Sequence, residues 1–237
     1  MAESTRGRVG GTAAALMADL RDARGLGAQT AQIWLHGRIL ARIDDPALGR
    51  IAHPGLVLRQ VNADLIRLVP AGPCLGTAID SARAAGLMAR LEAEDWLVVP
   101  AGPPRGVRLR PDLRPRILAV LFAGRDDEGA GGTPPLRATA RAICAAAAAF
   151  HAYGPPQGHP ARAWWAAMPE EDRAVEAAYH RALGAELSPW FDAAFAGRLA
   201  TQLGADLDTL PPAWQARVTA LLGEGRAGGG AAALPPT

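Results

Sequence analysis

Along residues 77–121 the spacing of apolar positions changes from helical to strand-like and back. Ala84, Leu87, Met88 and Leu91 recur at i, i+3, i+4 and i+7, which predicts a helix with one buried stripe. Asp80 and Ser81 precede it with side-chain oxygens suited to the free amides of a helix start. Trp96, Leu97, Val98 and Val99 form a run too short for a helix and rich in aromatic and β-branched residues, so a buried strand is expected. Pro100 to Gly106 (PAGPPRG) predicts a turn, because its prolines lack ladder donors and its glycines permit positive φ. Val107, Arg108, Leu109 and Arg110 alternate apolar with basic, the pattern of a strand with one wet face. Asp112 then caps a second helix, with Leu113, Ile117, Val120 and Leu121 at helical spacing and Pro115 confined to the first turn.

Before this stretch, Thr12 to Arg24 predicts a helix stopped by Gly25. Ala31 to Ile43 (AQIWLHGRILARI) suits two strands turning at His36-Gly37, which is preferred to a bent helix. Asp44 and Asp45 ahead of Pro46 open a helix whose Leu48 and Ile51 face inward, and His53-Pro54-Gly55 stops it. Asn62 caps a short helix with Leu65, Ile66 and Val69, closed by Pro70-Ala-Gly-Pro73. Beyond residue 132 the pattern is helical throughout. Thr133-Pro134 begins a long helix with Leu136, Ala140, Ile143, Ala147 and Phe150 on one face, ended by Gly154-Pro155-Pro156. Carboxylates at 170–172 open another, carrying Val175, Ala178, Tyr179 and Ala182 before Gly184. Ser188-Pro189 opens a third, with Phe191, Phe195, Leu199 and Leu203 inside and Gly204 as its stop; the last follows Pro211-Pro212 and buries Trp214, Val218, Leu221 and Leu222.

These elements predict a mainly α protein with a small β-wing: a winged-helix domain followed by an antiparallel helical bundle or helical-hairpin array. The divisions are a disordered N-terminus over 1–10, a winged-helix-containing domain over 11–123, a linker over 124–132, a helical domain over 133–222 and a flexible tail over 223–237. The linker stretch GRDDEGAGG has no apolar side chain larger than alanine. Two uses of the wing compete. Arg105, Arg108, Arg110, Arg114 and Arg116 gather around one acid, Asp112, as phosphate contacts on DNA would require. The helix that would enter the groove opposes this. From Asp80 to Asp95 it sets Arg83 and Arg90 against Asp80, Glu92, Glu94 and Asp95, a formal −2 facing a polyanion. A protein-binding role, with the arginines on a solvated face, is therefore preferred.

Composition narrows the rest. All 25 basic residues are arginine, and the formal net charge of +2 implies weak whole-protein attraction to nucleic acid or anionic lipid. No stretch reaches the roughly 18 apolar residues of a membrane span, and MAESTRGRVGG lacks an apolar signal core, so a cytoplasmic location is expected. Cys74, in a PAGPC turn, and Cys144, on an alanine-rich helix, lack the CxxC spacing of zinc or redox sites, and Cys144 is expected to be a buried thiol.

Candidate chemistry is sparse, and no catalytic residue, cofactor or metal is assigned. The five histidines are His36, His53, His151, His159 and His180, and no GxSxG elbow accompanies them. Cys144 and His151 share a helix face but stand about 10 Å apart along its axis, too far for a direct dyad. His180 reads as a packing or interhelical hydrogen-bonding residue, and His159 as a loop residue in solvent. Trp164 and Trp165 are adjacent, so one of them marks a contact surface unless both lie under the loop 154–160. The acid pairs Asp126-Asp127 and Glu170-Glu171 read as linker and helix-start charges, without histidine at metal-ligand spacing.

DPALGRIAHPGLVLRQVNADLIRLVPAGPCLG, then ARLEAEDWLVVPAGPPRGVRLRPDLRPRIL, and later AAYHRALGAEL resemble the winged-helix and helical-repeat region that follows the nucleotide-binding domain in large bacterial STAND-type signalling NTPases. The resemblance runs from about Asp45 to Leu187, and RPDLR and YHRAL are its most specific parts. In that family the winged helix packs on the nucleotide domain and relays its state to the repeats. The resemblance thus implies a regulatory or scaffolding role for Leu109 to Arg116 and a protein partner, either a nucleotide-binding domain or another signalling protein. An ATPase of this class needs GxxxxGK[ST], but the chain has no lysine, and GRVGGT at Gly7 to Thr12 follows no apolar strand. The expectation is an adaptor that neither hydrolyses nucleotide nor enters a membrane; a DNA-binding regulator is the alternative.

Overall fold

In a computed structural model the described residues are 41–102, 106–122, 136–184 and 191–228, with Ala18, Thr30, Trp34 and 37–39, and side chains are described as far as Gly223. The helix expected over Thr12–Arg24, the linker 124–132, Arg105 and the end of the tail lie mostly or wholly outside them. The chain divides into two compact units, Met1–Arg137 and Ala138–Thr237.

Between Pro46 and Phe122 the described residues of the first unit form five helices and a two-stranded sheet. Helix α1 (Pro46–Ala52) starts at Asp45, whose carboxylate accepts from the Ala47 and Leu48 amides, and it buries Leu48 and Ile51 as their spacing requires. A 3-10 turn over Gly55–Val57 leads to α2 (Ala63–Leu68), capped by the Asn62 side chain on the Leu65 amide. Pro70 to Leu75 departs from the expected turn. Ala71–Leu75 is a short helix, α3, so Cys74 is a buried helical residue; Pro70 stands at its N-cap, where a missing amide costs nothing, and Gly76 at φ +70° ends it.

Helix α4 (Ser81–Glu92) begins at Asp80, whose carboxylate accepts from the Arg83 amide, and it buries Ala84, Leu87, Met88 and Leu91. It packs on α1 and α2. Strands β1 (Val98–Ala101) and β2 (Gly106–Leu109) pair antiparallel, Val98 opposite Leu109 and Ala101 opposite Gly106. The ladder starts two residues later than Trp96 and takes in Pro100, which sits in the edge strand opposite Val107. Val61, between the 3-10 turn and α2, exchanges two backbone hydrogen bonds of 2.8 Å with Val107 and adds an isolated third rung. Helix α5 (Arg114–Phe122) closes the unit over Leu113, Ile117, Leu118 and Leu121.

Within 31–43, the described residues 34, 37–39 and 41–43 do not form the two strands expected there. Trp34, Gly37, Arg38 and Ile39 are helical, and the Ala41 amide bonds the Gly37 carbonyl at 2.8 Å. The buried residues Ile39 and Ile43 are four apart, a helical spacing that the apparent alternation at Ile33 and Leu35 concealed.

The second unit is helical. Helix α6 (Leu136–Tyr153) buries Ala140, Ile143, Ala147 and Phe150 and ends at Gly154 with φ +79°. Helix α7 (Ala161–Ala167) carries the two adjacent tryptophans, and α8 (Glu170–Leu183) starts with three carboxylates and stops at Gly184. Helix α9 (Ala193–Leu203) begins at Asp192, which caps the Phe195 amide, and Phe191 precedes it. Ser188-Pro189 is thus not its start, because the competing cap at Asp192, four residues after Ser188, aligns Ala196, Leu199 and Leu203 on the buried side. A 3-10 segment over Gly204–Thr209 leads to α10 (Pro212–Gly228), which packs on α9 and buries Trp214, Val218 and Leu221, leaving Leu222 half-buried. The helix runs five residues past Gly223, where a flexible tail was expected. Among the described residues no helix is long and apolar enough to cross a membrane.

Candidate functional site

The wing arginines separate into different roles. Arg108 points outward from β2, as the alternation of that strand requires. Arg110 turns back to Asp112, 3.1 Å from its Nε, and Arg116 is half-buried. Arg114 is not a surface contact: it is 3% exposed, and its guanidinium donates to the carbonyls of Leu56 (3.3 Å), Val57 (3.0 Å) and Leu58 (2.8 Å). A planar fork with five donors suits three converging carbonyls, so Arg114 fastens the 3-10 turn to α5. Its place in RPDLR gave no sign of this, since the residues it holds lie more than fifty positions away.

Small residues line the outward side of α4. Ala82, Ala85, Gly86 and Ala89 are exposed there, flanked by exposed Ser81, Arg83, Arg90 and Glu92. Arg90 pairs with Asp45, the cap of α1, so α4 is tied to α1 at its far end. Partial burial raises the Asp45 pKa, but amide donation by Ala47 and Leu48 and the charges of Arg90 and Arg83 outweigh it and hold the carboxyl below its ordinary 3.8.

The tryptophans are both half-buried. Trp164 tilts against Phe150, with ring centroids 5.6 Å apart. Trp165 lies against Gly154, at the head of the loop 154–160, burial under which is the alternative to a contact surface for both tryptophans, and the Arg173 guanidinium stands 4.3 Å from its ring centroid. Arg173 also donates to the Trp165 and Met168 carbonyls, so the end of α7 is fastened to α8.

One cluster was not anticipated. His151 on α6 and Glu176 and His180 on α8 each bring a donor atom to one place, all within 4.8 Å of one another. The two imidazoles stack with centroids 6.0 Å apart and planes 8° apart, and His180 Nε2 stands 3.8 Å from Glu176 Oε2. Cys144 lies beside Gly184 on the same two helices, so α6 and α8 run antiparallel here and bring together residues 29 positions apart in sequence. His151 is also in the wall of a cavity of about 520 Å³ with Arg173, Arg181, Phe191, Phe195 and Arg198. The one local signal was Glu176 four residues before His180, which puts carboxylate and imidazole on one helix face.

No protein-family model matches the chain, and no curated protein or solved structure matches it.

Proposed function

We propose that residues 44–122 form a winged helix that docks on a protein partner, so that the chain acts as a regulatory adaptor without catalytic activity of its own. The element order supports this assignment: helix α1, the Val61 rung, helices α2 and α4, then β1 and β2 with the wing between them. The observation that carries the function is the outward side of α4. In a DNA-binding winged helix this third helix enters the major groove and reads bases through long polar side chains. Here Ala82, Ala85, Gly86 and Ala89 reach no base edge, whereas such residues let a partner's helix approach closely. The partner class follows from the resemblance to STAND NTPases, in which this region packs on the nucleotide-binding domain; the absence of lysine from the chain agrees with nucleotide being held elsewhere. Such a role belongs in the cytoplasm.

A DNA-binding regulator using the wing is the second reading, and the exposed Arg108 favours it. Fluorescence anisotropy with duplex DNA separates the two. The adaptor reading expects weak, sequence-independent binding that disappears near 150 mM salt, roughly physiological ionic strength. Sub-micromolar, sequence-dependent binding at that salt, abolished by replacing Arg105, Arg108 and Arg110 with alanine, overturns it. Titration with a nucleotide-binding domain of the STAND class supplies the positive arm, and Ala85→Arg should block that association while leaving the fold intact.

A further inference from the structure

We infer that His151, Glu176 and His180 form a binding site for a divalent transition metal of the zinc class, linking α6 to α8. Two imidazoles and a carboxylate are the donors such ions prefer, and a set of three leaves a coordination position for water or another ligand. The placement is close to what an ion requires. Ligand atoms on a tetrahedral zinc lie about 3.3 Å apart, given bonds near 2.0–2.1 Å. His180 Nε2 and Glu176 Oε2 are already 3.8 Å apart, and the whole set falls within 4.8 Å, so ligation asks for a contraction of at most about 1.5 Å between any two donors.

The surroundings fix the donors in place. His180 is 1% exposed and meets Tyr179 edge to face, and the Tyr179 hydroxyl is held by Thr209 at 2.9 Å. His151 is 6% exposed and meets Phe150 in the same manner. Glu176, whose side chain is 21% exposed, gives the ion its way in. A bound ion would hold α6 and α8 together as a crosslink does, and of its three ligands His151 also lines the cavity described above.

The test is a titration of the full chain, stripped of metal with a chelator, with Co²⁺ followed by visible d–d absorption and with Zn²⁺ followed by calorimetry. The site predicts one ion per chain at micromolar affinity or better, a higher melting temperature with Zn²⁺, and displacement of Co²⁺ by Zn²⁺. His180→Asn should abolish binding. Glu176→Gln, at a partly exposed position that leaves the core intact, should weaken it by more than the roughly 10- to 100-fold typical of losing an outer-shell contact. His159→Asn, in the loop before α7, should leave it unchanged. Absence of saturable binding by the folded wild-type chain, or binding that Glu176→Gln and His180→Asn do not alter in folded variants, overturns the assignment.

Discussion

Gly106 lies so close to Val61 that a Cβ on the glycine would overlap the valine carbonyl oxygen. That oxygen accepts from the Val107 amide, so the approach is the third rung of the sheet itself and neither residue can retreat without breaking it. Gly106→Ala should therefore destabilise the first unit by about 1–3 kcal/mol, the usual cost of overpacking a fixed site. Gly102→Ala, at the described start of the same turn with open space around it, should cost under about 1 kcal/mol. Urea unfolding of the two variants checks the contrast.

Periodicity carried much of the fold because most of these helices bury a single stripe beside a usable cap. Asp45, Asn62 and Asp80 each cap the helix that the following apolar positions imply. It failed where local signals were short or doubled: Ile39 and Ile43 sat behind an apparent alternation, and Ser188-Pro189 offered a helix start ahead of the Asp192 cap that is used. The wing arginines and the histidine cluster were beyond its reach for another reason. Arg114 owes its role to carbonyls at Leu56–Leu58, and His151 meets His180 through the packing of two helices. Neither contact has a spacing rule within one segment.

Arg114 should behave as a structural residue. Arg114→Ala leaves three buried carbonyls without their donor, and hydrogen bonds to a charged group are worth about 1.5–3 kcal/mol. Arg114→Lys should recover part of that, because an ammonium cannot span the three oxygens as a guanidinium does. Arg108→Ala, an exposed position, should move stability by less than about 0.5 kcal/mol. Equal losses at Arg108 and Arg114 in chemical denaturation would contradict this division.

Leu91 is 0% exposed at the end of the α4 stripe, in the same unit as the 8% exposed Trp96. Leu91→Ala should cost about 2–5 kcal/mol, the range for a buried leucine whose cavity does not collapse. Trp96 reports on the outcome, since its indole Nε1 donates to Glu94 at 2.6 Å and its fluorescence will follow any loosening of that corner. A shift below about 0.5 kcal/mol would place the α4 stripe on a surface.

Asp45 sets an acid limit on the first unit. Its pKa is held below 3.8 in the folded chain, so the stabilisation from its ionised form is present above the unfolded value and is lost as the pH falls through the lower folded one. Asp45→Asn preserves the cap but removes the charge facing Arg90. The stability gap between wild type and this variant should hold at neutral pH and narrow as the pH falls below about 4. A gap independent of pH over that window would show that the cap alone accounts for the residue.

Gly154 and Gly158 separate two costs that usually occur together. Both adopt positive φ, +79° and +77°, so an alanine at either should lose about 1–2 kcal/mol to left-handed strain. A Cβ at Gly158 meets nothing within 4 Å, whereas at Gly154 it would stand 2.9 Å from the Trp165 ring. Trp165 has little room to move, because Arg173 lies against it and is itself held by the Trp165 and Met168 carbonyls. Gly154→Ala should thus exceed Gly158→Ala by about a further 1–3 kcal/mol of overpacking and alter the near-ultraviolet dichroism of the tryptophans. Thermal melts of the two variants that coincide would mean that Trp165 swings away freely and that α7 is not anchored at Gly154.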